Sequence, residues 1–405
     1  MLLLEKKVCD PLPGIRPAHL LGAQSMLQTF VLFLHSVNTS VGAVGPNESG
    51  CGNAVKKNQK ETIYDIAAKA GASASTVSAA LNGTWEKRRI SRATAERIIA
   101  IAREQGYSIN LQARALRTSR SGLVALLVPE YNRFFSSIAQ TFSDEVRARN
   151  QCPVIISTGR DTQKEHDTVT DLMSWSIDAI FFVGAVAPDE LSRQCQSADI
   201  PHVFVDQPCD LAPSVVTDSR TGARILTREI LSSMTHRGVR IGESPRDTIY
   251  FLGGDRRLPS TRNRVEGFSD AVYAHVGHLE PEQVIAETYD LDAATESIAA
   301  LYRKMGGLPR GLFINSDSVF EGALRFLATL PEAELAECSM GCFDYEPLGQ
   351  LLRFPVHMMR QRHKMLVQRA FTLLEDKSPP VTEMVQPELY PAPGSRDPEG
   401  RAFSR

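Results

Sequence analysis

The chain has 405 residues, 42% of them hydrophobic, and a formal net charge of −2. At ~150 residues per domain, this length predicts two or three domains. Ordinary fractions of Gly, Pro and charged residues exclude a collagen-like or wholly disordered chain. No apolar run approaches the ~18 residues of a membrane-spanning helix, so no membrane partner is predicted. The seven cysteines lack C-x-x-C spacing, which indicates reduced thiols and predicts neither a metal site nor a bound cofactor.

Charge is concentrated in one segment of the chain. Residues 56–120 hold thirteen Lys and Arg against five Asp and Glu, a net +8 that leaves −10 for the remainder. A compact basic segment joined to an acidic body favours a module that binds a polyanion. A solvated basic face without a partner is the alternative that charge alone leaves open.

Residues 1–60 differ in composition from the rest of the chain and predict a disordered extension. An apolar run at 27–34 has the length of a signal-peptide core. It lies far from the amino terminus, however, and has neither a basic leader nor a clear cleavage site. We therefore favour an extension, or a start codon placed too early, over a signal peptide.

The segment 61–108 predicts three short helices. Thr62, Ser73 and Ser91 each precede an apolar pattern of helical spacing, and each side chain can cap the helix that follows. A glycine follows each pattern and is expected to end the helix. Two short helices joined by a glycine-containing turn, with a third helix in support, are typical of a helix-turn-helix domain.

From residue 121 onward, apolar strands alternate with amphipathic helices. Runs of strand length occur at 123–128, 154–156, 179–183, 202–205, 249–252 and 312–314. This alternation predicts parallel sheets covered by helices. Because about 270 residues are too many for one sheet, we expect two doubly wound lobes. The predicted domains are an extension (1–60), a headpiece (61–108), a hinge or linker (109–120), an α/β body (121–390) and a tail (391–405).

The segment 62–83 (TIYDIAAKAGASASTVSAALNG) resembles the headpiece of the lactose-repressor (LacI) family of bacterial transcription regulators. The residues that carry the resemblance stand in order and at the family's spacing: Asp65, Ala67, Ala70, Gly71, Ser73, Thr76, Val77, Ser78, Asn82 and Gly83. The longer connection at 82–90 (NGTWEKRRI) is similar to the fructose-repressor and sucrose-regulator branch. The resemblance implies a body like that of a periplasmic sugar-binding protein.

The resemblance also implies which side chains contact DNA. Ala74, Ser75 and Ala79 occupy base-reading positions on the second helix, where serine can bind any base and alanine touches only a thymine methyl group. In the linker, Arg114 would reach the minor groove or a phosphate, and Leu116 would wedge into the central base step. The remaining predicted DNA-binding residues carry hydroxyl or amide groups, and they are Thr62, Ser73, Thr76, Ser78 and Asn82.

Candidate effector residues lie where ligands bind in α/β sheets, at and beyond the carboxyl ends of strands. They are Asp206, Arg262, Arg264, Ser316, Asp344 and Gln361. Arg264 and Asp344 resemble family motifs, R-x-x-G-[FW] and G-[YF]-D, whose side chains bind sugar hydroxyls. Four arginines at 255–264 favour an anionic effector such as fructose 1-phosphate, although a neutral sugar stays open. A purine is less expected because no aromatic clamp stands out.

These patterns together predict a cytoplasmic, DNA-binding transcription regulator of carbohydrate genes, with repression favoured over activation. It would bind a pseudo-palindromic double-stranded operator as a homodimer or tetramer, under the control of a sugar or sugar phosphate. An enzyme acting on a sugar is the first alternative, but the sequence holds no nucleophile–base motif, Walker loop or G-x-G-x-x-G. A periplasmic sugar receptor is the second alternative, and it would have no use for a basic helix-turn-helix.

Overall fold

The computed structural model describes residues 61–107 and 120–392. The chain divides into two compact units after Tyr107, namely the headpiece and the α/β body. Residues 108–119 and 393–405, which include most of the predicted linker and tail, lie outside the described residues.

The headpiece (residues 61–107) consists of α1 (Ile63–Ala70), α2 (Ala74–Leu81) and α3 (Arg92–Glu104). The predicted caps are confirmed, since Thr62, Ser73 and Ser91 each accept a hydrogen bond from a backbone N–H three residues further on. Gly71 ends α1 at a φ of 60°, a left-handed conformation that glycine adopts without strain. Local sequence therefore sets where all three helices begin.

One small core holds the three helices together. Ile66, Val77 and Ile98, one from each helix, are 0% exposed within it. Trp85, in the long connection between α2 and α3, packs against the same core. A domain this small buries little apolar surface, so each core side chain carries a large share of its stability.

Two six-stranded sheets form the body. In chain order the strands are β1 (Leu123–Val128), β2 (Cys152–Ser157), β3 (Ala179–Val183), β4 (His202–Val205), β5 (Ser214–Thr217), β6 (Ile249–Leu252), β7 (Val284–Ile285), β8 (Gly311–Ile314), β9 (Ser339–Cys342), β10 (Val356–Arg360), β11 (Thr382–Val385) and β12 (Glu388–Tyr390). The first sheet has the order β11-β5-β4-β3-β1-β2, and its strand pairs are all parallel. The second has the order β12-β10-β9-β8-β6-β7. The two parallel-sheet lobes predicted from the sequence are confirmed, except that β12 runs antiparallel to β10.

Helices connect and cover the strands of each sheet. In chain order they are α4 (Arg133–Ala148), α5 (Thr162–Ser174), α6 (Pro188–Ser197), α7 (Ser219–His236), α8 (Pro259–Val276), α9 (Leu291–Met305), α10 (Asp317–Leu327), α11 (Glu332–Glu337) and α12 (His363–Glu375). The chain passes between the two lobes three times, after β5, after β10 and after β11. Each lobe therefore contains segments that are distant in sequence.

Helices α7 and α8 approach so closely that one position requires glycine. A Cβ atom on Gly267 would lie 2.0 Å from the backbone carbonyl oxygen of Arg220 on α7. The next residue, Phe268, is 0% exposed in the core of the second lobe. Gly267 and Phe268 belong to the motif that begins at Arg264, so this motif fixes the position of α8 as well as presenting its arginine.

We expect Gly267→Ala to lower the free energy of unfolding of the body by about 3 kcal/mol, because the added methyl group would push two helix backbones apart. Urea denaturation measures this change. Ser269→Ala, at a half-buried position on the same helix, is the control and should cost less than about 1 kcal/mol. Equal losses in the two variants would contradict the packing argument.

Candidate functional site

The first candidate surface lies at the amino end of α2. Ser73 and Ser75 are exposed there, and Ala74 and Thr76 are half-buried. The Ser73 hydroxyl lies 2.8 Å from the hydroxyls of Ser75 and of Thr76, and it accepts the Thr76 N–H at 3.2 Å. Three hydroxyls, which we call the hydroxyl cluster, therefore gather at the positive end of a helix, where phosphate groups are favoured.

The carboxyl half of α2 differs from the prediction. Ala79 is only 3% exposed, and its carbonyl accepts the N–H of Thr84 at 3.0 Å, which brings the following turn against this part of the helix. A covered methyl group cannot reach a thymine, so the structure corrects the expectation that Ala79 reads a base. Asn82 donates from Nδ2 to the Ser78 carbonyl at 2.6 Å. Its amide therefore closes the helix end.

Thr62 begins α1 through a reciprocal cap with Asp65. Its N–H and its hydroxyl each donate to the Asp65 carboxylate at 2.7 Å. These hydrogen bonds lower the pKa of Asp65, so an exposed negative charge lies beside Thr62. The charge of Asp65 would repel a DNA phosphate and therefore disfavours the predicted contact between Thr62 and a phosphate. Arg114 and Leu116 lie outside the described residues, and their roles stay predictions.

The second candidate site is a cavity between the two lobes of the body. Of the six predicted effector residues, five line it: Asp206, Arg264, Ser316, Asp344 and Gln361. The first lobe contributes the end of β4, and the second contributes α8 and the ends of β8 and β9. Strand ends from both sheets are thereby brought to one place, as ligand sites in α/β proteins require.

Arg264 is the most constrained side chain of the cavity. It is 4% exposed, its guanidinium carbon lies 4.0 Å from the centre of the Phe343 ring, and Nη1 donates to the Asn315 carbonyl at 2.7 Å. Its Nε has no hydrogen-bond partner among the described residues. A planar cation held in this way is positioned to donate two hydrogen bonds to adjacent oxygens of a ligand.

Asp344 links the cavity, through hydrogen bonds, to segments where the chain crosses from one lobe to the other. Its Oδ1 accepts the Gln361 amide at 2.8 Å, and its Oδ2 accepts the Asp317 N–H at 3.2 Å. Gln361 in turn accepts the Thr217 hydroxyl at 2.7 Å. Since Thr217 ends β5 and Gln361 follows β10, this chain of hydrogen bonds spans two of the three passages.

Burial and crowding raise the pKa values of the carboxyl groups in the cavity. For Asp344, burial is the largest cause and the nearby Asp317 the second, while Arg264 opposes both. Burial also raises the pKa of Asp317 and that of Asp206, the latter against the opposing charges of Arg264 and Arg160. Asp206 has a φ of 72°, a left-handed conformation that is strained for a residue other than glycine.

Arg262 does not belong to the cavity. It is exposed and donates to the Arg257 carbonyl at 2.7 Å. Because residues two apart on a helix point to different sides, burying Arg264 in the cavity turns Arg262 away from it. Arg257 is also exposed, and it pairs with Asp255. The structure thus corrects the prediction that Arg262 binds the effector. It also corrects the argument that the arginine-rich segment 255–264 favours an anionic effector.

Sequence reasoning missed several residues that line the cavity. Arg160 follows β2, and its guanidinium lies over the rings of Phe135 and Tyr289 at 5.6 and 5.7 Å. Asp317 follows β8 and stands directly after the predicted residue Ser316, but it is not among the residues predicted from the sequence. The other missed residues are Asn132, Phe134, Phe135, Gln207, Leu258, Ser260, Tyr289 and Ser318. Their common signal is a position after a strand or at a helix start.

Two structural features are absent from residues 61–107 and 120–392. No group of three or more His, Cys, Asp and Glu side chains there could hold a metal ion. Within the same ranges, no helix is long and apolar enough to cross a membrane.

The raised pKa of Asp344 predicts how Asp344→Asn changes stability with pH. Below pH 3.8, the carboxyl group is protonated in both the folded and the unfolded protein and has no effect. As pH rises towards the raised pKa, the unfolded chain loses its proton first, so the wild type loses stability. Asn does not titrate, so the variant should gain melting temperature relative to wild type from pH 4 to pH 8. A difference that is constant or falls with pH would contradict this.

Comparisons with known proteins agree with this arrangement. Residues 62–110 match the model of bacterial regulatory proteins of the lacI family, and residues 121–330 match that of the periplasmic binding proteins and sugar binding domain of the LacI family. The ribitol operon repressor of Klebsiella aerogenes is 43% identical over 199 residues, which cover 49% of this chain and 72% of that protein. The sucrose operon repressor of Klebsiella pneumoniae is 31% identical over 321 residues, 78% of this chain and 92% of that protein.

A solved structure shares the fold. The lac repressor dimer bound to operator and the anti-inducer ONPF superposes with a TM-score of 0.63 at 17% identity, covering 82% of this chain and 98% of that one. The domain matches and the sucrose operon repressor, which represents the resembled branch, lead to one conclusion. This chain belongs to the LacI family of bacterial regulatory proteins.

Proposed function

We propose that this protein is a cytoplasmic transcription repressor of a carbohydrate operon, which binds its operator as a homodimer and is controlled by a small effector in the cavity. It acts by binding and not by catalysis. The observation that carries the proposal is the hydroxyl cluster (Ser73, Ser75 and Thr76), which lies at the amino end of α2 while Val77 anchors the same helix in the core.

In this proposal, the amino end of α2 enters the major groove. Ser75 is exposed and reads a base edge, while Ser73 and Thr76 contact phosphate oxygens and set the orientation of the helix. Because Ala79 is covered, Ser75 and the half-buried Ala74 make few direct contacts with base edges. Specificity must then come in part from DNA shape and from the linker, where Leu116 and Arg114 are proposed to act in the minor groove.

The cavity is proposed to bind the effector. Two relatives are named as repressors of the ribitol and sucrose operons, so a polyol or sugar is the effector class that they support. Asp206 and Arg160 come from the first lobe and Arg264 and Asp344 from the second. A ligand bound to all four fixes the two lobes relative to each other. Through the two-fold axis of a dimer, such a change alters how two headpieces fit a palindrome.

Gel-shift titration with genomic fragments, with and without sugars and polyols, tests the proposal. We expect nanomolar-range binding to a pseudo-palindromic site that weakens steeply with salt, and release by one effector. Ser75→Asp should weaken operator binding by roughly 10- to 100-fold, since it places a negative charge against DNA. Ser197→Asp, at an exposed position of the body, is the control for added charge. Equal effects of the two variants, or sugar turnover without operator binding, would refute the proposal.

A further inference from the structure

The connection between α2 and α3 carries positive charges that the proposed function does not use. Lys87, Arg88 and Arg89 are consecutive and exposed, and Glu86, also exposed, precedes them. Within residues 61–107, the ion pairs involve other side chains and leave these three cations unpaired. A cluster of cations without neutralising partners is the electrostatic pattern of a surface that binds a polyanion.

Residues 84–90, which we call the basic turn, form one helical turn fixed to the headpiece. The Arg88 N–H donates to the Thr84 carbonyl at 3.2 Å, and the Ile90 N–H donates to the Trp85 carbonyl at 3.0 Å. Trp85 packs against the core shared by the three helices. The backbone that carries the three cations is therefore already ordered, which reduces the entropy lost when they bind a partner.

Arg89 closes the basic turn in a strained conformation. Its φ is 56°, in the left-handed region, and its N–H donates to the Glu86 carbonyl at 3.0 Å. Glycine is the favoured residue at such a closing position, because it adopts a positive φ without strain. Replacing Arg89 by glycine would therefore remove the charge while keeping the fold, so stability and binding can be separated at this residue.

The basic turn follows the carboxyl end of α2. At about 1.5 Å per residue, the eight residues of α2 span about 12 Å, which is roughly the width of the major groove. The Thr84 N–H donates to the Ala79 carbonyl at 3.0 Å, which holds the turn against the carboxyl half of this helix. When the amino end of α2 meets the base edges, the turn comes close to the phosphates that border the groove.

The side chains of the basic turn suit phosphate groups. A guanidinium group can donate two hydrogen bonds to adjacent phosphate oxygens, and an ammonium group binds phosphate as a point charge. With Glu86 as the single acid among residues 84–90, the turn keeps a formal charge of +2, from three cations and one carboxylate. Contacts to phosphate position a protein on the duplex but read no sequence.

We propose that the basic turn is a second DNA contact of the headpiece, in which Lys87, Arg88 and Arg89 bind phosphates beside the base pairs that α2 reads. This inference rests on the proposed function, namely that the headpiece binds DNA. The contact adds affinity and salt dependence at each half-site and adds no sequence preference. It thereby supplements the few base contacts that α2 makes.

The first test replaces Arg89 in the full-length protein. Binding is measured by fluorescence anisotropy on a genomic fragment retained in the gel shift and on a short duplex of random sequence. Arg89→Gly should bind both probes about 10-fold more weakly, and log Kd should depend on log salt with a slope smaller by about 2, because a dimer loses two phosphate contacts. Calorimetry should show the headpiece melting at or above the wild-type temperature. Arg89→Lys keeps the charge and should bind within about threefold of wild type.

The second test removes the other two cations. Lys87→Gln/Arg88→Gln should weaken binding to both probes by roughly 10- to 100-fold and reduce the salt slope by about 4, since four contacts are lost per dimer. Arg228→Gln is the control for lost charge. Arg228 is exposed on α7 of the body and should bind both probes as wild type does when it is replaced.

The outcomes separate this inference from the proposed function. If wild-type protein binds neither probe, the headpiece does not bind DNA and both proposals fail. If wild type binds but Arg89→Gly and the double variant keep its affinity and salt slope, the proposed function stands and the inference is wrong. A loss confined to the genomic fragment, or a headpiece destabilised by Arg89→Gly, would also overturn the inference.

Discussion

Arg264→Ala should abolish the response to the effector while operator binding by the free protein persists. The side chain is 4% exposed and provides a buried guanidinium that faces Asp206 and Asp344. Its loss removes the donors to the ligand and leaves crowded carboxylates without their nearest cation. We expect at least a 100-fold weaker effector response in gel-shift titrations, since a buried charged hydrogen bond is worth about 2–5 kcal/mol.

The same substitution also lowers the stability of the body by about 3–5 kcal/mol, because it breaks a buried charge network. Arg264→Lys is a second variant that separates the loss of effector binding from the unfolding of the body. Lysine keeps the charge but cannot stack on Phe343 and reach two oxygens as a planar fork, so a folded protein with a response weakened at least ~10-fold is expected. Arg262→Ala, two residues earlier and exposed, should behave as wild type. A normal response in Arg264→Ala would place the effector site elsewhere.

Ile98→Ala should remove operator binding without affecting effector binding. Ile98 is 0% exposed in the only hydrophobic cluster of the described headpiece. Truncating a buried isoleucine costs about 2–5 kcal/mol, which is a large part of the stability of so small a domain. At 37 °C the headpiece would be largely unfolded, and operator affinity should fall more than ~100-fold by the same free-energy scale.

Ile99→Ala is the matched control, because Ile99 lies on the same helix but is only half-buried and outside the core cluster. It should change operator affinity by less than about threefold. Calorimetry with the effector should give the wild-type heat and Kd for both variants, since the cavity belongs to the other unit. Loss of effector binding in Ile98→Ala, or equal operator affinities in the two variants, would contradict this separation of roles.

Much of the fold is predictable because its central strands are continuous apolar runs. The bounds of β3, β4 and β6 coincide with the runs at 179–183, 202–205 and 249–252. By contrast, β9 (Ser339–Cys342) contains serine and glycine, and β5 (Ser214–Thr217) is short and partly polar. Such segments become strands because their neighbours in the sheet bury them, and this information is not local. The antiparallel direction of β12 is also not a local property, because it depends on where the chain returns to the second sheet after β11.

The candidate site was predictable where a residue lies in a motif or directly after an apolar strand. Asp206, Arg264 and Asp344 met those conditions, and all three line the cavity. Arg262 failed because a count of charges ignores which side of a helix a residue faces. Arg160 lies in the turn after β2, and its place over Tyr289 depends on the packing of one lobe against the other. Ala79 is covered because the chain after α2 folds back, which helical spacing alone does not reveal.

The three passages between the lobes have a consequence for how the protein is synthesised. The first lobe begins at β1, but it needs α12 and β11 from the far end of the chain to complete its sheet and cover its core. A ribosome-bound nascent chain that has already finished β5 must therefore wait for more than a hundred further residues before this lobe can close. During that interval the edge of β5 and the apolar surface beneath α12 stay open, so the nascent regulator depends on rapid completion or on chaperones until its last strands emerge.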